Sequence, residues 1–186
     1  MEPFTLHTDR LVLDSPAASD IDLITRYCQD PVFERYLTVP WPYRRGDAEY
    51  FVNEFVPSGW KEGREQTWAL RRETGGALMG VVGLRMPSTD VGFWLGAEHR
   101  GNGYLPEALA AVIDWAFRAP EPGLSQVLWE CVAGNAASAA VARKCGFSYT
   151  GEAPTRAAWR DGSRPLSWQG VLRADDDRNP KPGWPG

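Results

Sequence analysis

The period of apolar and polar positions changes several times along this chain, and each change marks an element. Arg10-Leu11-Val12-Leu13 alternates as a half-buried strand does, and Asp14-Ser15-Pro16 closes it with turn formers. Ser19 or Asp20 caps a helix whose Ile21, Ile24 and Cys28 share a face; Pro31, lacking an N–H, is expected to stop it. A second helix is predicted from Asp47, because Phe51, Val52, Phe55 and Val56 recur at helical spacing until Pro57-Ser58-Gly59 breaks it. Between the two helices, Tyr36 to Tyr43 holds Pro40-Trp41-Pro42, an aromatic loop suited to lining a substrate cleft, with Trp41 the residue expected to meet an acceptor.

Thr67 to Leu70 and Leu78 to Leu84 read as strands joined through Glu73-Thr74-Gly75-Gly76, and Val91 to Leu95 as a third. Leu105, Leu109, Val112, Ile113, Ala116 and Phe117 form one helical stripe ended by Pro120, and Val127 to Val132 is another apolar strand. Strand, helix, strand predicts a parallel crossover. Ala136 to Lys144 is an Ala-rich helix closed by Gly146, and two last strands flank the Asp161-Gly162 turn. Residues 1–173 read as one domain, and Ala174 to Gly186, acidic and then Pro/Gly-rich, as a mobile tail.

Composition narrows the function classes. The chain has 186 residues, 43% of them apolar, with nine tryptophans that size alone assigns mostly to the core. A net charge of −4 without a Lys/Arg block argues against direct nucleic-acid binding, and no apolar run is long enough for a bilayer. Cys28, Cys131 and Cys145 have neither CxxC nor Cys/His ligand spacing, and His7 and His99 make no pair. These features point to a cytoplasmic protein without a metal.

The segment from Asp90 to Glu107 carries the chemistry. A strand runs through a glycine-bearing loop, Arg100-Gly101-Asn102-Gly103, directly into a helix, so backbone N–H groups converge where the helix dipole is positive and an anion is favoured. Gly101 and Gly103 admit φ > 0, and Arg100 is expected to add a charge-assisted hydrogen bond. The pattern is neither the G-x-G-x-x-G dinucleotide fingerprint nor a P-loop. Alone, a G-x-G is equally a plain turn.

Two matches in order change that balance. Arg100-Gly101-Asn102-Gly103-Tyr104 with Glu107-Ala108 resembles the pyrophosphate loop of the GNAT acetyltransferases. Asn135-Ala136-Ala137-Ser138 followed by Arg143-Lys144-Cys145-Gly146-Phe147 resembles the N-x-x-S … G-F element of the Rim-type protein N-terminal acetyltransferase branch, and the likeness runs from about Thr8 to Leu172. The resemblance implies an α/β (α+β mixed) GNAT fold: a mixed, mostly antiparallel sheet of about seven strands whose fourth and fifth splay apart, flanked by about four helices. It implies acetyl-CoA as co-substrate, pantetheine paired with Phe93, Trp94 and Leu95, pyrophosphate on Arg100, Gly101, Asn102, Gly103, Tyr104 and Leu105, and Asn135 and Ser138 near the thioester.

The chain departs from that pattern at Leu105-Pro106, where the family has a small residue and Ser/Thr, so coenzyme affinity is expected to fall below the family's usual level. It departs again at Ala142, where many relatives carry a tyrosine that protonates the leaving thiolate, and at Ala157, where some Rim-type enzymes carry a carboxylate. Ser138, or water, is left as the acid. Asp90 and Glu130 are the carboxylates nearest the two splayed strands, and each is a candidate base as well as a candidate surface ion-pair member. The acceptor is a primary amine: a protein or peptide N-terminus, or a small molecule such as an aminoglycoside or polyamine, drawn to carboxylates such as Glu49, Glu54, Glu62 and Glu65. A non-catalytic acyl-CoA-binding module is the remaining alternative, and a homodimer is compatible with all three. Deprotonating a lysine-like amine at pH 7 costs about 4.6 kcal/mol and an α-amine about 1.4 kcal/mol, so the sparse acid/base set favours the α-amine.

Overall fold

The structure, a computed structural model, describes residues 1–121 and 123–185. β1 (Leu6–His7) and β2 (Val12–Asp14) pair at one sheet edge, with Leu11, Val12 and Leu13 buried. The two residues of β1 are too few to have shown a period. α1 (Ile21–Cys28) buries Ile21, Ile24, Tyr27 and Cys28.

Two prolines act as openers rather than breakers. The Asp30 carboxylate accepts from Val32 N at 3.0 Å, and Pro31 starts α2 (Pro31–Tyr36) at a position where a missing N–H costs nothing. α3 (Arg45–Tyr50) continues through a π-helical turn (Phe51–Phe55) into α4 (Val56–Glu62), so the helix expected to end at Pro57 runs past it. The wider turn shifts the hydrogen-bond register just where Pro57 has no N–H to give.

β3 (Glu65–Arg71), β4 (Gly80–Arg85) and β5 (Asp90–Leu95) form an antiparallel meander. α5 (Tyr104–Arg118) crosses to β6 (Gln126–Val132), which lies parallel to β5, and α6 (Ala136–Lys144) leads to β7 (Ser148–Pro154) and β8 (Leu166–Arg173). Among the described residues the sheet has eight strands, ordered β1-β2-β3-β4-β5-β6-β8-β7, with β5–β6 its parallel pair. On one face α5 lays Leu109, Val112 and Ile113 against Trp68, Trp129 and Phe147; on the other, Ile24, Phe33 and Val52 cover Ala69, Leu78 and Val81. No helix among the described residues is long and apolar enough to cross a membrane.

The segment after β8 is laid on this body rather than loose. Arg178 pairs with Asp114 at 2.7 Å and stands over the Phe117 ring, and Trp184 packs against Trp129 and Tyr149. Gly186 lies outside the described residues.

Arg71 ties the helical face to the sheet. Its guanidinium, 6% exposed, donates to Asp20 at 2.6 and 2.8 Å, to Asp14 at 2.7 Å and to the Gly76 carbonyl at 2.9 Å. The hydrogen bonds it donates to Asp20 raise its pKa well above the ordinary value and hold it ionised. Arg71→Ala strands the buried Asp20 carboxylate and the part-buried Asp14, and we expect a loss of about 3 kcal/mol, read as a fall in Tm of roughly 10 °C by calorimetry.

Candidate active site

The site begins where two strands part. β5 and β6 are in register only at Asp90↔Leu128 and Val91↔Trp129. Beyond those pairs β5 still bonds β4 as far as Gly80↔Leu95, and β6 still bonds β8 as far as Val132↔Ser167. Each strand is therefore held from behind while its inner edge offers N–H and C=O groups to the gap. A cavity of about 370 Å³ opens there. It is lined by Phe93, Trp94 and Leu95 of β5, by Gly101 and Gly103 to Pro106, by Val32, Phe33 and Tyr36 of α2, and by Asn135, Ser138, Val141 and Lys144 at and along α6.

The loop into α5 has the left-handed turns its glycines suggested: φ is +81° at Gly101 and +77° at Gly103, which caps the helix. The first α5 residues, Tyr104 and Leu105, present free N–H groups, and Pro106 sits within the first turn, where an N–H has no intrahelical partner. Two side chains of this loop brace it, and Arg100 does so from within the cavity lining. Arg100 folds back to donate to the Leu95 carbonyl at 3.1 and 3.2 Å and pairs with Asp30 at 2.8 Å. Asn102 points out of the cavity and donates to the His99 and Arg100 carbonyls at 3.2 and 3.1 Å, bracing the loop. Arg10, just before β2, and Arg72, just after β3, flank the Tyr104 ring at 5.2 and 5.3 Å; Arg10 pairs with Glu107 at 2.6 Å and donates to the Asn102 carbonyl at 3.1 Å.

Asn135 caps α6, its Oδ1 accepting from Ser138 N at 3.1 Å. That cap turns Ser138 to the cavity, where Oγ accepts a 3.1 Å hydrogen bond from Trp129 Nε1. Sequence reasoning missed Trp129, because only the register of β6 under α6 brings the two together. Ala142, four residues on, is fully buried and offers no proton.

The two candidate bases separate. Asp90 opens β5 at the closed end of the split, about 17 Å along the strand from Leu95, outside the cavity. Burial pushes its pKa up, but hydrogen bonds from Arg85, at 2.9 Å from Nε, and from Ser88 outweigh that, and the carboxyl is held below its ordinary range. A committed ion-pair member is a poor proton acceptor, so Asp90 is removed from the catalytic set. Glu130 is the first β6 residue beyond the last β5 pair, on the sheet face shared by Asp90, Gly92 and Trp94. It accepts from Arg156 N at 3.1 Å and Gln169 Nε2 at 3.0 Å, and its side chain is 15% exposed. Glu130 is not among the residues that line the cavity, although Trp94, on the same sheet face, is. Trp41 likewise lies outside the lining, where Tyr36 and Leu37 take the place expected of it. His99 Nε2 lies 3.0 Å from the Tyr27 hydroxyl.

The acetyltransferase (GNAT) domain family matches residues 10–148. The chain belongs to this family. An uncharacterized N-acetyltransferase p20 of Bacillus licheniformis is 25% identical over 118 residues, 61% of this chain and 66% of that one, so the match spans just under two thirds of the relative. Among solved structures, Mycobacterium smegmatis RimJ in complex with CoA-disulfide superposes with a TM-score of 0.78 at 17% identity, over 94% of this chain and 91% of that one. A RimL ribosomal L7/L12 alpha-N-protein acetyltransferase in complex with coenzyme A does so with a TM-score of 0.77 at 16% identity, over 94% and 100%. At these identities the likeness is one of fold. The GNAT chain's own geometry suits an acyl-CoA: unpaired β5 and β6 edges match the amides of a pantetheine arm, and the Gly101–Leu105 turn with its helix N-terminus matches a pyrophosphate.

Two outcomes follow. Acetyl-CoA at a hundredfold excess over its Kd adds about 2.7 kcal/mol to stability, and Gly103→Val, strained by about 1–3 kcal/mol at φ +77°, stays folded but loses the shift. Thermal unfolding with and without acetyl-CoA checks both. Asp90→Asn lowers stability at neutral pH by about 1–3 kcal/mol. Because the native Asp90 pKa lies below the unfolded one, the wild type's advantage is full above the ordinary carboxylate range and fades below about pH 4, as denaturant unfolding across pH would show.

Proposed function

We propose that this chain transfers the acetyl group of acetyl-CoA to a primary amine by direct attack, in the Rim-type manner, with the α-amine of a protein or peptide as acceptor. The reading rests chiefly on one observation: the open β5–β6 gap, the Gly101–Leu105 turn and Ser138 share a single cavity. The Rim-type titles among the structural relatives and the Asn135 to Ser138 motif support the branch.

When bound, acetyl-CoA supplies an activated acyl thioester; the protein supplies position and protons. The inner edge of β5 at Phe93 to Leu95 orients the arm and aims N–H groups at the carbonyl oxygen. Ser138 Oγ, on the α6 side, delivers a proton towards sulfur. Glu130, on the opposite face at the start of the gap, receives the proton of the amine, which makes the acceptor approach from the side opposite α6. An acyl-enzyme route is disfavoured by chemistry, because burial pushes the thiols of Cys28, Cys131 and Cys145 up to about 12 and no thiolate is available near neutrality. Reduced, buried cysteines also suit a cytoplasmic setting.

The test is a pH–rate profile with peptides blocked at either the α-amine or the lysine side chain. We expect faster transfer to the α-amine at neutral pH, a fall in kcat of about 10²-fold in Ser138→Ala and in Glu130→Gln, and little change in the KM for acetyl-CoA. Faster transfer to lysine would overturn the acceptor assignment, and absence of turnover with any amine would return the chain to an acyl-CoA-binding module.

A further inference from the structure

Ser138 has a partner that the transfer chemistry does not require. The Trp129 indole is fully buried on β6, and its Nε1–H reaches Ser138 Oγ at 3.1 Å. An indole N–H only donates, whereas a serine hydroxyl both donates and accepts. The contact therefore occupies an Oγ lone pair and leaves the hydroxyl proton to point elsewhere, and the Asn135 cap already fixes the backbone of Ser138 against the cavity. Trp129 sets which way the proton faces.

Trp129 is itself held from outside the sheet. Its register partner on β8 is Gly170, and a Cβ built there would come within 3.3 Å of the Trp129 ring and 3.7 Å of Trp184. The missing side chain leaves a slot in which the two indoles meet, with ring centroids 5.3 Å apart, and Tyr149 of β7 closes the far side of Trp184 at 5.7 Å. The chain reaches this slot from β8 by way of Arg178, which is anchored on Asp114 at 2.7 Å and runs so close over Gly146 that a Cβ there would lie 2.8 Å from Arg178 Cα. Among the described residues the buried indole N–H of Trp184 has no partner, and the side chain is held by ring packing against Trp129 and Tyr149.

We propose that the segment after β8 is a positioning element for catalysis: Trp184 clamps the Trp129 indole, and Trp129 orients the Ser138 hydroxyl so that its proton faces the cavity. The proposal rests on Ser138 as the proton donor for its kinetic consequence, but the clamp itself has a separate readout. Trp129 and Trp184 are positioning residues, since neither lines the cavity. The Cys131 thiol also hydrogen-bonds Ser138, but burial pushes it up to about 12, so it stays protonated and does not take the hydroxyl proton.

The test uses the full chain with ¹⁵N-labelled tryptophan. The Trp129 Nε1–H resonance should exchange slowly with solvent in the wild type, at least tenfold faster in Trp184→Ala, and near the wild-type rate in Trp184→Phe, which restores a ring without the unpaired N–H. In parallel, Trp129→Phe and Trp184→Ala should lower kcat by roughly tenfold while leaving the KM for acetyl-CoA unchanged, and neither should lower kcat further in a Ser138→Ala background. Unaltered exchange of Trp129 Nε1–H in Trp184→Ala would overturn the clamp. Losses in kcat that add to that of Ser138→Ala would overturn the link from the indole to the hydroxyl. A Ser138→Ala variant with full kcat would instead defeat the proton-donor assignment, and the exchange rates would then decide the clamp alone.

Discussion

Everything distinctive about this chain depends on a parallel ladder that stops after two residue pairs. If β5 and β6 stayed in register past Val91↔Trp129, their backbone groups would satisfy one another and the sheet would have no gap. What keeps them apart is that each is bonded along its length on the other side, β5 to β4 and β6 to β8, with the sheet twist free to open the space between. α5 crosses from one strand to the other and starts in the loop at the mouth of that gap, so the crossover brings its N-terminus to the cavity.

The same split sorts the charged residues. At its closed end Asp90 is locked to Arg85 and Ser88, an arrangement that stabilises the joined strands and removes a base from the chemistry. At its open end Glu130 accepts from the Arg156 backbone and the Gln169 amide and lies 3.8 Å from the Arg156 guanidinium, a longer ion-pair contact than the one that locks Asp90 to Arg85. On the α6 side Ser138, held by Trp129, stands beside a fully buried Ala142, which is why the proposed proton route uses one hydroxyl and one carboxylate on opposite faces of the sheet.

The sequence made the local half of this legible. Apolar runs around a glycine turn located the strands of the meander, the 3.6 period located α1 and α5, and Gly101 and Gly103 located the positive-φ turn into α5, because each of these is set by neighbours in the chain. α1 does end before Pro31, which then opens α2 behind a cap at Asp30, but Pro57 misled, since a π-helical turn shifts the hydrogen-bond register and carries the helix past it. The hydrogen bonds that Arg100 and Asn102 make were not legible either, because both side chains turn back on backbone carbonyls at the end of β5 and in the loop after it. Arg10, Arg72, Trp129 and Trp184 were out of reach altogether, because their contacts join residues far apart in the chain.

The central claim is that the gap between β5 and β6 is where an acyl-CoA lies. Backbone hydrogen exchange measured by mass spectrometry, with and without saturating acetyl-CoA, tests it directly. The account predicts new protection along Phe93 to Leu95 and over Gly101 to Leu105, with none at the already paired Asp90 and Val91. Protection confined to the shallow depression between β1 and α5, around Trp115 and Arg118, with the gap unaffected, would contradict it.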